Sequence, residues 1–223
     1  MKKVVLSLGG SLINPEKIDT QFLQDFVSLI KGYPDTQFAI ICGGGMPARI
    51  YQEVARQLGC NNDRDLDLIG IKATKINGEL VRSLFGSDAY EKLIDNPEDK
   101  IKTNKKIIVG AGYEPGYSSD VDAILLAKNI GAKVVINLSN IDYLYDKDPK
   151  KFKDAQKIEK ISFKDLLKIT GEEWVPGKNV PFDPIASKKA MQFGISVVIM
   201  NGKKLDNLRN YFNGKKFVGS IIE

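Results

Sequence analysis

Three times along the chain a short β-branched or apolar run is followed at once by glycine and then by a helix or a polar loop. Lys3 to Leu8 leads into Gly9-Gly10-Ser11, Phe38 to Ile41 into Gly43-Gly44-Gly45, and Ile107 to Val109 into the stretch from Gly110 to Gly116. Such runs are what a parallel sheet buries on both faces, and parallel strands need long crossovers, usually helical. Further strands are predicted at Val134 to Ile136, Ile158 to Ile161, Ile195 to Met200 and Val218 to Ile222. Six to eight strands alternating with helices predict an α/β fold, a three-layer αβα sandwich with a mainly parallel sheet.

The helices are read from 3.6-residue spacing and from caps. Asp19 caps a helix to Lys31 with Phe22, Phe26, Leu29 and Ile30 on one face. Met46 to Leu58 is predicted helical with Ile50, Val54 and Leu58 turned inward. Asp67 to Phe85 keeps helical spacing at Ile69, Ala73, Ile76, Leu80 and Leu84, although Gly70 and Gly78 each cost ~1 kcal/mol relative to alanine and so call for close packing or a ligand. Gly86 to Asn104 is polar, with at most one strand or helical turn around Tyr90 to Ile94. Ser119 is expected to cap the next helix, with Asp122 reaching back as the acidic half of a capping box, and that helix runs to Asn129 and ends at Gly131. Ser162, with Asp165, caps a helix through Lys168. Asp183-Pro184 is a cap followed by a proline at the first helical position, starting a helix to Phe193. Gly171 to Pro181 reads as a flexible loop around Trp174, and Leu205 to Phe212 as a helix stopped by Gly214.

At 223 residues the chain fits one domain of generous size. No linker composition divides it, and no apolar run approaches the ~20 residues that span a bilayer. Met1-Lys2-Lys3 before VVLSL is too short a pattern for a signal peptide, so a cytoplasmic location is expected. Cys42 and Cys60 form neither a metal pattern nor a disulfide framework and are read as free thiols. A net charge of +5 admits a nucleic-acid surface or the handling of small anions. Basic residues are scattered among acids, as in KDPKKFKDAQKIEK from Lys147 to Lys160, without an aromatic-interleaved basic stripe; small anions are favoured and nucleic acid is not.

The chain has no histidine. That removes the usual general base, the commonest metal ligand and any Ser-His or Cys-His nucleophile. What remains is a sheet edge with three glycine turns, where backbone amides can approach phosphate oxygens and helix N-termini add partial positive charge. Neither the GxxxxGK[ST] phosphate loop nor the GxGxxG dinucleotide pattern is present, so a different nucleotide architecture is required. The Asn-, Asp- and Tyr-rich stretch from Asn137 to Pro149 suits a polar heterocycle and a ribose.

Six segments together resemble the archaeal-type uridylate kinases of the amino acid kinase superfamily. They are SLGGSL at Ser7 to Leu12, CGGGMPAR at Cys42 to Arg49, DLIGI at Asp67 to Ile71, GAGYEPGYSSD ending at Asp120, LSNIDYLYDKDP ending at Pro149, and FDPIASKKA at Phe182 to Ala190. The resemblance covers essentially the whole chain, with residues 1–130 as an acceptor-side lobe and 131–223 as an ATP-side lobe. It implies transfer of the γ-phosphoryl group of ATP, with Mg²⁺ accompanying the nucleotide and no metal site of the protein's own, to UMP in pyrimidine nucleotide synthesis, by a homohexamer. Carried over by position, Gly9, Gly10, Ser11, Gly45 and Arg49 would face the ATP phosphates, and Ser139, Asn140, Tyr145 and Asp148 would hold adenine and ribose. Gly44, Asp67 and the loop Tyr113, Glu114, Pro115, Gly116, Tyr117, Ser118, Ser119 would hold UMP, with Asp67 accepting from ribose hydroxyls. Asp120 matches the carboxylate that organises cations around the transferred group.

The chain departs from the superfamily at Ser7, where many members carry lysine; Lys188 is one candidate for the missing cation, against the alternative of a solvated helix lysine. Tyr143 stands where the family commonly has glycine. Isopentenyl phosphate kinases use a histidine, which this chain lacks. Two other readings stay open on sequence: a same-fold kinase of a small carboxylate or carbamate, which would want a carboxylate clamp in place of the 113–119 loop, and a catalytically silent nucleotide-binding protein.

Overall fold

A computed structural model describes residues 1–149, 151–173 and 180–223. The elements in order are β1 (Lys2–Leu8), α1 (Gly10–Ile13), α2 (Thr20–Lys31), β2 (Thr36–Cys42), α3 (Gly45–Gln57), α4 (Asp63–Phe85), β3 (Ile107–Gly110), α5 (Ser119–Ile130), β4 (Val134–Ser139), β5 (Leu144–Tyr145), β6 (Lys157–Ile158), β7 (Lys160–Ile161), α6 (Phe163–Thr170), α7 (Pro184–Phe193), β8 (Ser196–Asn201), α8 (Leu205–Phe212) and β9 (Ser220–Ile222). Between α4 and β3 the polar segment forms a 3-10 turn at Gly86–Asp88 and meets the sheet through parallel bridges of Ala89 to Ile107 and Ile94 to Gly110. Trp174 and residues 175–179 of the loop read as flexible lie outside the described residues.

The main sheet runs β3-β2-β1-β4-β8-β9-β7, parallel except where β9 lies antiparallel to β8, and β5 pairs with β6 in a small hairpin. Alternation along the strands divides the core in two. Val5, Ile41, Val135 and Ile199 pack with α5, α6 and α7, while Leu6, Ile40, Ile136 and Met200 pack with α1, α2, α8 and the end of α4. A sheet covered on both faces is the three-layer arrangement the sequence pattern predicts. Among the described residues no helix is long and apolar enough to cross a membrane. Cys42 and Cys60 are free, and burial pushes the Cys42 thiol upward, so it packs as an inert core residue.

Two expectations fail. In α3 only Ala48 is buried, and Ile50, Val54 and Leu58 face solvent, Leu58 at 83% exposure. Helical spacing says which residues share a face; it does not say that the face meets the core. The side of α3 that does pack is its small-residue side, fitted against α1 and α4. The cap of α5 is Ser118, whose hydroxyl accepts from Val121 N at 3.4 Å, with Ser119 already inside the helix. Asp122 is wholly buried and its carboxylate is taken by the loop before the helix, so it does not close a capping box. At the other ends the cap readings hold: Asp19 accepts from Phe22 N, Ser162 from Asp165 N, and Asp183 from Ile185 N and Ala186 N.

Candidate active site

Parallel pairing of β1 with β2 sets Leu8 opposite Cys42, so their glycine turns emerge side by side. A β-carbon on Gly43 would lie 2.6 Å from Gly10 N, and one on Gly10 would overlap Gly45 N. Gly45 also has φ +68, which side chains rarely adopt. The turns interlock backbone to backbone, with Met46 N donating to Asn14 O at 3.1 Å. On the far side, Gly9 N donates to Leu138 O at 3.0 Å, and a β-carbon there would lie 3.9 Å from Ser139 Cα. Gly9, Gly10, Ser11, Gly44, Gly45 and Ser139 are thus brought to one sheet edge. Arg49 follows one turn into α3, its side chain exposed.

Helix α4 anchors two of the three glycine turns with one face. Asn77 Nδ2 donates to Gly43 O at 2.8 Å and Gly44 O at 3.1 Å, Thr74 Oγ1 accepts from Gly112 N at 2.8 Å, and Asp67 Oδ2 accepts from Gly116 N at 2.8 Å. Positions 67, 74 and 77 lie on one helical face. The glycines that looked costly in α4 serve this packing: a β-carbon on Gly78 would press to 2.8 Å of Leu93 and one on Gly70 to 2.8 Å of Gln52. Asp67, expected to meet a ribose, here holds the loop itself. Within that loop Tyr117 N donates to Glu114 O at 3.2 Å, the Tyr113 and Tyr117 rings sit 6.3 Å apart, and Lys189 on α7 lies 5.7 Å from the Tyr117 ring.

Asp120, in the first turn of α5, points across the ends of β1 and β4. Its Oδ1 accepts from Asn137 Nδ2 at 2.7 Å and from Ser7 Oγ at 3.4 Å, and its Oδ2 accepts from Asp183 N at 3.4 Å. Among the described residues no lysine or arginine forms an ion pair with it. Loss of water and then repulsion from the Asp183 carboxylate push its pKa up to about 7, against the pull of those three hydrogen bonds. Asp122 is pushed up to about 7 mainly by burial, opposed by the Tyr113 N–H that reaches its Oδ2. Asp183 Oδ2 and Asp122 Oδ1 are buried without a hydrogen-bond partner. A concentration of carboxylate this short of donors suits an incoming cation.

Among the described residues no three acidic, cysteine or histidine side chains cluster as a metal cage. Mg²⁺ commonly takes one or two carboxylates and completes its shell with phosphate oxygens and water, so the donor set fits an ion that arrives with a nucleotide.

The other expected residues follow β4. Ser139 O accepts from Gly202 N at 2.8 Å, Asn140 comes next, Tyr145 lies in β5, and Asp148 O closes a turn by accepting from Lys151 N and Phe152 N. Lys204 pairs with Asp142 at 2.7 Å, and that hydrogen bond first among its neighbours holds the Asp142 carboxyl below its ordinary range. Tyr143 needs no left-handed backbone, and its ring lies under Lys157 Nζ at 4.9 Å. Lys188 pairs with Glu172 at 3.3 Å and makes no hydrogen bond or ion pair to Asp120. No motif marks Asn77 or Thr74 as site-building, Asn137 stands out only as the first residue of the polar stretch to Pro149, and Asp183 reads as a cap within the FDPIASKKA segment. The available signal was polarity at positions where strand or helix spacing predicts burial, as with Asn137 two residues after Val135.

Residues 2–201 match the family model for the amino acid kinase family. The chain belongs to that family. Within it the likeness runs end to end to archaeal uridylate kinases. It is 34% identical over 224 residues to a uridylate kinase of Methanobrevibacter smithii, covering 99% of each chain, and 33% identical over 224 residues to one of Thermoplasma volcanium, covering 100% of this chain and 98% of that one. The crystal structure of uridylate kinase from Archaeoglobus fulgidus superposes with a TM-score of 0.85 at 33% identity over the full length of both. UMP kinase from Ureaplasma parvum, at 18% identity and a TM-score of 0.79, has the same fold.

Proposed function

We propose that this chain transfers the γ-phosphoryl group of ATP to UMP, giving UDP and ADP. What carries the reading is the meeting of the interlocked glycine turns, the α4-anchored loop and the Asp120 carboxylate, in a chain alike over its whole length to proteins named uridylate kinase. The UMP phosphate has a second pKa near ~6 and is largely dianionic at neutral pH, so no general base is needed and none of the histidine type is available. A phosphate oxygen of UMP attacks the γ-phosphorus in line. The bond from that phosphorus to the β,γ-bridging oxygen breaks, and its electron pair leaves with ADP.

The main difficulty is bringing two polyanions together. Glycine amides at Gly10, Gly44 and Gly45, with Gly9 and Ser11 beside them, line the phosphates. Arg49, and Lys188 once drawn from Glu172, are the side-chain cations; Ser139, Asn140, Tyr145 and Asp148 take adenine and ribose. The loop from Tyr113 to Ser119, with Asp67, takes UMP. Asp120 and Asp183 are the carboxylates that would hold Mg²⁺ accompanying ATP, whose chemistry is to neutralise charge on the phosphate oxygens. Residues 1–130 then serve the acceptor and residues 131–223 the donor. We further infer a cytoplasmic homohexamer acting in pyrimidine nucleotide synthesis. Its assembly is supported by the apolar stripes that packed helices α3 and α4 leave exposed at Ile50, Val54, Leu58, Leu68 and Ile76.

A coupled assay of ADP release over a panel of nucleoside monophosphates tests the assignment. UMP is expected to be the preferred acceptor. Nucleotide binding without turnover would replace the enzyme with a silent binding protein.

A further inference from the structure

On the sheet face that meets α5, the row through the ends of the strands reads Ile41, Ser7, Asn137, Ile199 across β2, β1, β4 and β8. The two outer members belong to the apolar core, and two residues earlier Val5 and Val135 occupy the central positions. Ser7 and Asn137 are therefore a polar pair set in an apolar surface, both buried, and direct neighbours in the parallel register. A fold alone would be served there by two more β-branched residues, since a buried amide has to be satisfied before it ceases to cost stability. Both side chains spend their donors on one atom, Asp120 Oδ1, with Asn137 at 2.7 Å, the length of a charge-assisted bond.

We propose that Asn137, backed by Ser7, is a positioning residue for the phosphoryl transfer, fixing the Asp120 carboxylate at the strand ends with neutral donors where no side-chain cation among the described residues holds it. The inference rests on the UMP kinase reading and on the role given there to Asp120. An amide donor orients a carboxylate without neutralising it, so the negative charge stays available to the cations that arrive with substrate. The groups facing Asp120 agree with this. Among the described residues, β1 and β4 present neutral Ser7 and Asn137 to it, the start of α7 presents the Asp183 backbone N–H and carboxylate, and Asp122 lies on α5 itself.

The test is steady-state kinetics of Asn137→Leu, which keeps the branched shape and removes the donor. The expected result is a fall in kcat of roughly 10-fold or more, typical of losing a group that orients a charged participant. KM for ATP and UMP should stay within about 3-fold. Asn137→Gln, which keeps the amide, should recover part of the loss. In an Asp120→Asn background Asn137→Leu should add nothing, because the two act as one unit. If Asn137→Leu does not fold, Asn137→Ser, whose hydroxyl is too short to reach, takes its place with the same expected direction. Wild-type kcat in Asn137→Leu would overturn the positioning role and leave the kinase reading standing. Absence of UMP turnover in the wild-type protein would overturn that reading, and this inference with it.

Discussion

Asp122 Oδ2 accepts the backbone N–H of Tyr113 at 3.3 Å, so a fully buried carboxylate in the first turn of α5 holds down the start of the loop that runs back to the same helix. Its other oxygen has no partner. This joins the loop to the helix that carries Asp120, and it stores charge in a place short of donors.

The consequence for stability has a definite sign. Asp122 has its folded pKa raised to about 7, well above its unfolded value, so between about pH 4 and pH 7 the folded chain holds more protons than the unfolded one. Stability from this group is full at low pH and is lost as pH rises through that window. Asp122→Asn keeps an acceptor for Tyr113 N and removes the charge. The melting temperature of Asp122→Asn relative to wild type should therefore rise between pH 5 and pH 8, by ~2 °C or more at pH 8, since ~1 kcal/mol shifts a chain of this size by about that much. An unchanged difference across that range would mean that Asp122 is ionised at little cost.

Asp67 Oδ2 supplies a side-chain acceptor to the exposed tip of the acceptor loop, through Gly116 N at 2.8 Å. Asp67→Ala frees that tip from α4. Its KM for UMP should rise by ~10-fold or more, with KM for ATP changed far less, as expected when preorganisation is lost on one substrate alone. Ser119→Ala should also act on UMP before ATP, but without the loss of helix stability that Ser118→Ala, which removes the actual cap, should bring. Equal effects of Asp67→Ala on both Michaelis constants would remove the loop from the acceptor site.

How far the sequence reached follows from what spacing can encode. β-branched runs ending in glycine gave the parallel strands, and cap chemistry gave the starts of α2, α6 and α7 to the residue, because both signals are local. The inward face assigned to α3 was wrong because its neighbour there is not set by local sequence: Ile50, Val54 and Leu58 share a stripe that faces out. At the site, the glycine turns were legible as three separate features. Their mutual contact was not, since the approach of Gly43 to Gly10 depends on the β1–β2 register. Asn77, Thr74 and Asn137 were hidden for the same reason, each being a polar residue whose partner lies 17 or more positions away.

The exposed stripe on α3 and α4 gives an assembly prediction. Ile76 is 72% exposed and Leu58 83%, an arrangement that costs solubility unless something covers it. Light scattering after size exclusion should find wild-type protein near six subunits. Leu58→Asp with Ile76→Asp should lower that number while leaving the fold, read by circular dichroism, intact. A monodisperse active monomer in the wild type would dismiss the hexamer.

The last prediction concerns Asp120. Its helix is already capped by Ser118, and its carboxyl is pushed up to about 7 by burial and by Asp183, so its charge opposes the fold where a helix-terminal aspartate would ordinarily support it. Asp120→Asn should hold or raise the melting temperature at pH 8. The same change should lower kcat by roughly 10²-fold or more, the scale of losing one electrostatic stabiliser of the transition state, with KM for ATP nearly unchanged. In the wild type, kcat/KM should fall as pH drops through about 7 and the carboxylate takes up its proton, and that acid limb should be missing from Asp120→Asn. A variant that melts lower and turns over like wild type would make Asp120 a structural charge, and the phosphoryl-transfer role would have to be sought at Asp183, the neighbouring carboxylate, whose Oδ2 is buried without a hydrogen-bond partner.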